Sequence, residues 1–273
     1  MRRPIPSTRE ELPIVGLGTW ITFNVGNDPV LRDESAGVMA AFFAAGGRMI
    51  DSSPMYGSSQ PVIGYGLQKL GRPQALFSAE KVWTSSAAGG PPQIEQSRRL
   101  WGVPKFDLLQ VHNLLSWKPH LQMLLQMKAA GAVRYVGITT SEGRRHDLVE
   151  QIMRNEPIDF VQFSYNVIDR EAEARLLPLA AERGIAVIIN RPFRQGALTD
   201  RLKREKLPEW ATETGASSWA QLMLKFILSH PAVTVAIPAT TRADHVRENL
   251  SAAAGAMLDP AMRERISAHV KAL

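Results

Sequence analysis

Four polar residues in the first half of the chain have the types and the spacing that proton-transfer chemistry needs. Asp51, Lys81 and His112 each stand at the end of a short apolar segment, and they are separated by 30 and 31 residues. Tyr56 follows Asp51 by five positions, within the turn-forming residues 54–57. A carboxylate, an ammonium group, an imidazole and a phenol would therefore occur at the same end of regularly spaced structural units.

The chemistry of these four groups depends on the pKa of the phenol. A free tyrosine has a pKa of about 10, and a nearby ammonium group would favour the phenolate and lower that pKa. Lys81 would supply the positive charge, and Asp51 would pair with Lys81 and keep it protonated. His112 would donate a hydrogen bond to a substrate oxygen on which negative charge develops. The group predicts proton donation to a carbonyl oxygen during a reduction, which also needs a hydride source.

The apolar segments that carry these residues belong to a series of eight. They begin at Pro13, Arg48, Leu76, Phe106, Ala132, Ile158, Gly184 and Val233. Segments with helical spacing, several of them ending in glycine, lie between them. Eight alternating strand and helix units in about 240 residues predict an α/β fold, a closed (β/α)8 TIM barrel that forms a single domain over residues 1–273. An open doubly wound sheet is the alternative, but no glycine-rich GxGxxG turn follows an early strand.

A barrel would explain why the four residues stand at the ends of segments. Catalytic groups of such barrels lie at the carboxyl ends of the strands, and neighbouring strands run roughly 4.8 Å apart. Asp51, Lys81 and His112 are therefore expected on adjacent strands, with Tyr56 in the loop after Asp51. Each residue alone has an ordinary structural explanation, such as a helix cap, a turn or a strand edge. Only their occurrence at successive strand ends indicates a site.

Both ends of the chain have sequences that add to this barrel. Residues 2–13, RRPIPSTREELP, predict a turn-rich cap or a small hairpin before the first barrel strand. Residues 259–273 predict a closing helix, with Asp259 as its N-cap and Pro260 at its first position.

Composition argues against several other classes of protein. The chain has 273 residues, no cysteine and a formal net charge of +6, and its 32 basic residues are interspersed with 26 acidic ones. This distribution favours a solvated surface over a nucleic-acid site, and no segment is apolar for long enough to span a membrane. The remaining histidines lack ligand spacing, so we predict no metal. The residues after Met1 form no apolar signal core, which predicts a cytoplasmic protein, or a periplasmic one if a signal was trimmed.

Six motifs carry a resemblance to a known family. GLGTW, IDSSPMYG, EKVW, LLQVHN, VQFSYN and IPATTRADHVRENLSAA occur in the order and at the spacing of the aldo-keto reductase superfamily, over residues 14–254. The resemblance implies a (β/α)8 barrel, NADPH or NADH as cofactor, and reversible reduction of an aldehyde or ketone to an alcohol. It also implies that Tyr56 is the general acid, supported by Lys81, Asp51 and His112.

The resemblance assigns residues to the nicotinamide end of a cofactor site. By their place in the motifs these are Gly18, Thr19, Trp20, Thr139, Thr140, Gln162, Asn190 and Arg191. Thr139 and Thr140 stand where the family usually has serine and asparagine. Asn190 and Arg191 stand where it usually has a stacking aromatic residue and a serine, so Arg191 could stack on the nicotinamide or reach the pyrophosphate instead.

The last barrel loop resembles the family's phosphate and adenine site. Its candidate residues are Thr240, Thr241, Arg242, His245, Glu248 and Asn249. Thr241 and Asp244 resemble a helix-capping pair, and a helix N-terminus offers free N–H groups to an anion. Arg242 could reach a 2′-phosphate, so NADP(H) is favoured and NAD(H) is possible.

Substrate contacts are expected from residues near the same loops. The candidates for substrate binding are Trp20, Trp83 and Asn113, with Phe23, Trp117 and Phe193 as further apolar wall residues. The long connection over residues 194–216 could fold over a bound cofactor or remain a solvated loop.

Two functions fit these observations. The first is an NADP(H)-dependent carbonyl reductase, acting as a monomer or weak oligomer on a small-molecule carbonyl substrate. The second is a nucleotide-binding barrel that serves as a regulatory or redox-sensing subunit with little turnover.

Overall fold

A ring of eight parallel strands forms the centre of the molecule, which a computed structural model describes over residues 1–273. The chain has ten strands in all, of which the last eight form the ring: β1 (Arg2–Pro4), β2 (Glu11–Pro13), β3 (Leu17–Gly18), β4 (Met49–Asp51), β5 (Phe77–Val82), β6 (Leu108–Val111), β7 (Tyr135–Thr139), β8 (Phe160–Ser164), β9 (Ala186–Asn190) and β10 (Val235–Ala236). Strands β3 to β10 pair in chain order. The Gly16 N–H donates to the Ala236 carbonyl at 2.8 Å, so hydrogen bonds also join the two outer strands. The predicted (β/α)8 barrel is confirmed.

Ten α-helices accompany these strands. They are α1 (Pro29–Ala44), α2 (Ser59–Lys69), α3 (Gly90–Trp101), α4 (Trp117–Ala129), α5 (His146–Asn155), α6 (Leu176–Arg183), α7 (Ala197–Leu202), α8 (Trp219–Leu228), α9 (Ala243–Ser251) and α10 (Pro260–Ala272). The prediction for α10 is confirmed, because the Asp259 carboxylate accepts a hydrogen bond from the Met262 N–H at 2.7 Å. No helix of the chain is both long enough and apolar enough to cross a membrane.

Strand alternation decides which side chains face the inside of the barrel. Successive residues of a strand point to opposite faces. On β5, Phe77 and Ala79 pack inside the barrel with residues of the neighbouring strands. Lys81 therefore also points inside, whereas Glu80 points outwards and bonds to α2 and α3.

The chain's first residues close the barrel at the end opposite the strand carboxyl ends. Strands β1 and β2 form an antiparallel hairpin in which Arg3 pairs with Leu12. Ile5 and Leu12 are fully buried against the inward-facing residues at the start of the barrel strands, including Phe77 and Phe160. The predicted N-terminal cap is thus a hairpin, and it leaves the carboxyl ends of the strands as the open end.

The long connection after β9 is an ordered part of the fold. It contains α7 and a 3-10 helix over Glu209–Thr214. Leu198, Leu202 and Ala211 from this connection are buried in the main hydrophobic core. The connection therefore packs on the barrel through its apolar residues, while more than half of its residues remain exposed to solvent.

Candidate active site

A cavity of about 510 Å³ lies at the carboxyl ends of the barrel strands. The predicted site residues that line it are Gly18, Thr19, Trp20, Asp51, Tyr56, Lys81, His112, Asn113, Thr139, Thr140, Gln162, Asn190, Arg191, Thr240, His245, Glu248 and Asn249. Trp83, Thr241 and Arg242 lie outside this lining. The structure thus brings together residues that are spread over more than 230 positions of the chain, from Gly18 to Asn249.

The centre of the site is a buried ion pair. The Lys81 Nζ lies 2.6 Å from Asp51 Oδ1 and donates a second hydrogen bond of 2.6 Å to the Ser52 carbonyl. The two side chains are only 1% and 2% exposed. Burial lowers the pKa of Lys81, but the negative charge of Asp51 acts against burial and the net pKa is raised. Lys81 is therefore held as a cation, as predicted from its pairing with Asp51.

Tyr56 lies directly beside this pair. The Lys81 Nζ is 5.1 Å from the centroid of the Tyr56 ring. Burial raises the pKa of Tyr56 to about 12, although the charge of Lys81 acts in the opposite direction. The expectation that Lys81 would bring this pKa below its ordinary value is wrong for the isolated protein, because loss of solvent contact outweighs the nearby cation. Tyr56 consequently holds its proton at neutral pH.

His112 is oriented by a residue that the sequence argument did not identify. Its ring Nδ1 lies 2.7 Å from Ser53 Oγ, and the Met55 N–H donates to the same oxygen. The Ser53 hydroxyl has no other acceptor, so we assign its hydrogen to Nδ1, which places the imidazole proton on Nε2. Burial and then the charge of Lys81 lower the pKa of His112 well below its ordinary value. His112 is thus a neutral donor whose ring lies edge-on to Tyr56, with centroids 5.6 Å apart.

Buried hydroxyl groups fix the loop that carries Tyr56. The Ser59 hydroxyl donates to Thr19 Oγ1 at 2.8 Å, and Thr19 donates to the Asp51 carbonyl at 2.8 Å. Gly57 has a φ of +60°, and an added Cβ there would meet the Asn24 side chain at 2.2 Å. The turn predicted over residues 54–57 is therefore confirmed, and Gly57 permits its sharp bend.

The strands opposite Tyr56 supply polar groups that suit an amide-containing ligand. Gln162 Oε1 is buried without a partner, while its Nε2 lies 3.5 Å from Asp51 Oδ1. An unpaired buried carbonyl oxygen is costly unless a ligand donates to it. Asn190 is held on both sides, because it accepts from Ser164 at 2.6 Å and donates to the Thr140 carbonyl at 2.9 Å. The unpaired Gln162 oxygen could accept a hydrogen bond from the carboxamide of a nicotinamide.

Two arginines of the cavity are paired with one carboxylate. Arg191 Nη1 lies 2.5 Å from Glu142 Oε1, and Arg144 Nη2 lies 2.5 Å from Glu142 Oε2. The Arg191–Glu142 pair connects the loops that follow β9 and β7. Neither Glu142 nor Arg144 was identified from the sequence, since neither stands at the end of an apolar segment.

The last barrel loop differs in part from its prediction. Thr240, His245, Glu248 and Asn249 line the cavity, and the Thr240 hydroxyl accepts from the Arg242 N–H at 3.1 Å. Helix α9 begins at Ala243 with Arg242 as its N-cap residue, and no side chain caps it there. The predicted Thr241–Asp244 capping pair is therefore wrong. The Asp244 carboxylate instead accepts two hydrogen bonds from the Arg242 guanidinium, of 3.0 and 2.5 Å.

The predicted substrate contacts are also found only in part. Trp20, Asn113 and Phe193 line the cavity. Trp83 does not line the cavity, and its side chain is 38% exposed to solvent. Phe23 and Trp117 pack in or against the hydrophobic core instead. Two apolar residues that were missed, Ile21 and Met55, line the cavity next to predicted ones.

The fold and site together define the class of the protein. A closed (β/α)8 barrel with polar groups gathered at the strand carboxyl ends is the usual architecture of a barrel enzyme. The sequence model of the Aldo/keto reductase family matches residues 14–271, so the chain belongs to this family. The prediction of an oxidoreductase enzyme, made from the resemblance, is confirmed by this match.

Individual relatives are distant. The NADH-specific methylglyoxal reductase of Escherichia coli (strain K12) is 25% identical over 260 residues, which are 82% of this chain and 77% of that protein. Methylglyoxal reductase YeaE of the same organism is 26% identical and covers 92% of this chain and 91% of its own. The crystal structure of an aldo/keto reductase from Klebsiella pneumoniae in complex with NADP and acetate has a TM-score of 0.80 at 23% identity, covering 96% of this chain and 93% of that one.

Proposed function

We propose that this protein reduces an aldehyde or ketone to an alcohol, with a reduced nicotinamide cofactor as hydride donor and Tyr56 as general acid. The observation that carries the proposal is the position of the Lys81 cation, which is 2.6 Å from Asp51 and 5.1 Å from the Tyr56 ring centroid. A protonated phenol, a fixed cation and a neutral imidazole donor on one cavity wall are the groups that carbonyl protonation requires.

The chain's own residues would divide the reaction as follows. His112 Nε2 donates a hydrogen bond to the substrate oxygen and orients it towards Tyr56. When bound, the reduced nicotinamide supplies a hydride, which becomes the new bond to the carbonyl carbon. The carbonyl oxygen takes the Tyr56 proton, and Lys81 stabilises the resulting phenolate until solvent returns a proton. The aldehyde or ketone gains two electrons and two hydrogens and leaves as the alcohol.

The cofactor site is assigned to the remaining lining residues. Gln162 and Asn190 would hold the carboxamide, Arg191 would lie near the pyrophosphate, and Asn249 would contact the adenine end. The similar structure from Klebsiella pneumoniae is a complex with NADP, whereas one relative is named NADH-specific. We favour NADPH with NADH as the alternative, because Arg242, in the loop before the adenine-end residues Glu248 and Asn249, is the candidate to turn towards a 2′-phosphate.

The first experiment separates binding from turnover. NADPH and NADH are titrated by intrinsic tryptophan fluorescence, and the loss of reduced-nicotinamide absorbance is followed with methylglyoxal, aliphatic aldehydes and aromatic aldehydes. Tyr56→Phe should bind cofactor normally and lose activity by at least about a hundredfold. Tight nucleotide binding with no turnover of any carbonyl would instead support a regulatory subunit.

A further inference from the structure

Ile21 occupies a position that neither packing nor backbone preference explains. Its φ is +66°, and it alone is β-branched among the non-glycine residues with positive φ. This left-handed conformation is unfavourable for a β-branched side chain, because the branched Cβ crowds the neighbouring backbone. The side chain is nevertheless 61% exposed. The fold thus keeps a strained residue whose apolar side chain is left in solvent.

The location of Ile21 connects it with the proton donor. Ile21 lines the same cavity as Tyr56 and His112. Its neighbour Trp20 has its ring centroid 6.3 Å from that of Tyr56. Met55, which directly precedes Tyr56, is 39% exposed and also lines the cavity. We call Trp20, Ile21 and Met55 the apolar lip.

The charged side chains of the cavity do not favour a charged substrate over an apolar one. The lysine and arginine side chains that line the cavity are Lys81, Arg144 and Arg191. Each is already paired, Lys81 with Asp51 and the two arginines with Glu142. A carboxylate-bearing substrate would find no unpaired lysine or arginine in the lining, whereas an apolar substituent would cover exposed apolar surface.

We infer that the apolar lip receives an alkyl or aryl substituent of the carbonyl substrate, and that Ile21 is a specificity-determining residue. The inference rests on the proposed carbonyl reduction. Its substrate class is aldehydes and ketones that carry an apolar group of several carbons. Strain at Ile21 is then retained because the side chain contacts substrate, in keeping with the concentration of unfavourable backbone conformations at functional sites.

The test compares straight-chain aldehydes from propanal to octanal with NADPH. Wild-type kcat/KM should rise with chain length. Ile21→Asn, which tolerates positive φ but removes the apolar group, should lower kcat/KM for octanal about tenfold and for propanal less than about twofold. Its urea midpoint should rise because the strain is relieved. Ile21→Gly should give the same substrate pattern.

Val30→Asn is the matched control. Val30 is also β-branched and is 64% exposed, but it lies outside the cavity lining and its φ is not positive. It should leave kcat/KM for octanal and propanal unchanged. A flat wild-type dependence on chain length would overturn the inference while carbonyl reduction stands, and so would an equal loss for both aldehydes in Ile21→Asn. Absence of turnover with every aldehyde would overturn the proposed function itself.

Discussion

The Lys81 ammonium and the Asp51 carboxylate form a 2.6 Å ion pair that is almost completely removed from solvent. They come from adjacent parallel strands, β5 and β4, which pair along their length. Charges that are removed from water are costly unless each one has a partner. The stability of the barrel therefore depends on the same ion pair that sets the electrostatics of the site.

Replacing Lys81 tests this coupling. Lys81→Met leaves the Asp51 carboxylate buried without its cation, so the free energy of unfolding should fall by about 3 kcal/mol and reduction should be lost. Lys69→Met is the control, because the Lys69–Asp33 pair has a similar distance of 2.5 Å but is about half exposed. That change should lower the free energy of unfolding far less than Lys81→Met does, because solvent screens an exposed ion pair. Urea unfolding measures the stability of both variants. Equal decreases in the free energy of unfolding for Lys81→Met and Lys69→Met would contradict the prediction.

Ser53 is expected to act as a positioning residue for His112. Ser53→Ala removes the hydroxyl that bonds to His112 Nδ1, so the imidazole proton is no longer confined to Nε2. The value of kcat should fall about fivefold, which corresponds to a hydrogen bond of about 1 kcal/mol, with little change in KM. Nitrogen NMR of His112 would report the tautomer directly. An unchanged tautomer together with unchanged kcat would refute this role.

The raised pKa of Glu80 predicts that the free energy of unfolding depends on pH. Its carboxylate accepts hydrogen bonds from Gln60 and Trp101, and burial raises its pKa from 4.5 to about 7. The folded state then binds more protons than the unfolded state between these values. Stability from this group is therefore present below pH 4.5 and is lost as the pH rises through about 7.

The comparison for Glu80 is with Glu80→Gln, which cannot titrate. From about pH 4 to about pH 8 the unfolding free energy of the wild type should decrease by about 3 kcal/mol relative to the variant. The two unfolding free energies may differ by a constant amount, since the NH2 group of the glutamine cannot accept the hydrogen bond that Glu80 Oε1 accepts from the Lys81 N–H. Parallel stability curves across that pH range would show that Glu80 does not titrate as expected.

In the native protein, the Glu142 carboxylate is expected to lower the affinity for the cofactor. Because it occupies both Arg144 and Arg191, Glu142→Gln would leave two guanidinium groups free for an anionic dinucleotide. Affinity for NADPH should increase about threefold at low salt, and the gain should shrink as salt is added. Glu95→Gln is the control, because Glu95 also pairs with two arginines but lies outside the cavity lining. Fluorescence titration distinguishes them, and weaker binding by Glu142→Gln would contradict the expectation.

The sequence determined the barrel and the approximate meeting of its polar residues. Eight apolar segments at regular intervals require parallel pairing, and parallel pairing places Asp51, Lys81 and His112 at one end of adjacent strands. Local signals were equally sufficient for the Asp259 cap and for the bend at Gly57. These features depend on chain-local geometry or on a repeating pattern, both of which can be seen in the sequence.

Only the tertiary structure decided the electrostatics and the walls of the site. The pKa of Tyr56 depends on how completely packing removes it from water, and the His112 tautomer depends on Ser53 from another strand end. The exclusion of Trp83 and the exposure of Ile21 depend on the path of each loop. Burial, side-chain direction and partner choice are set by contacts between distant segments, so no local pattern in the sequence encodes them by itself.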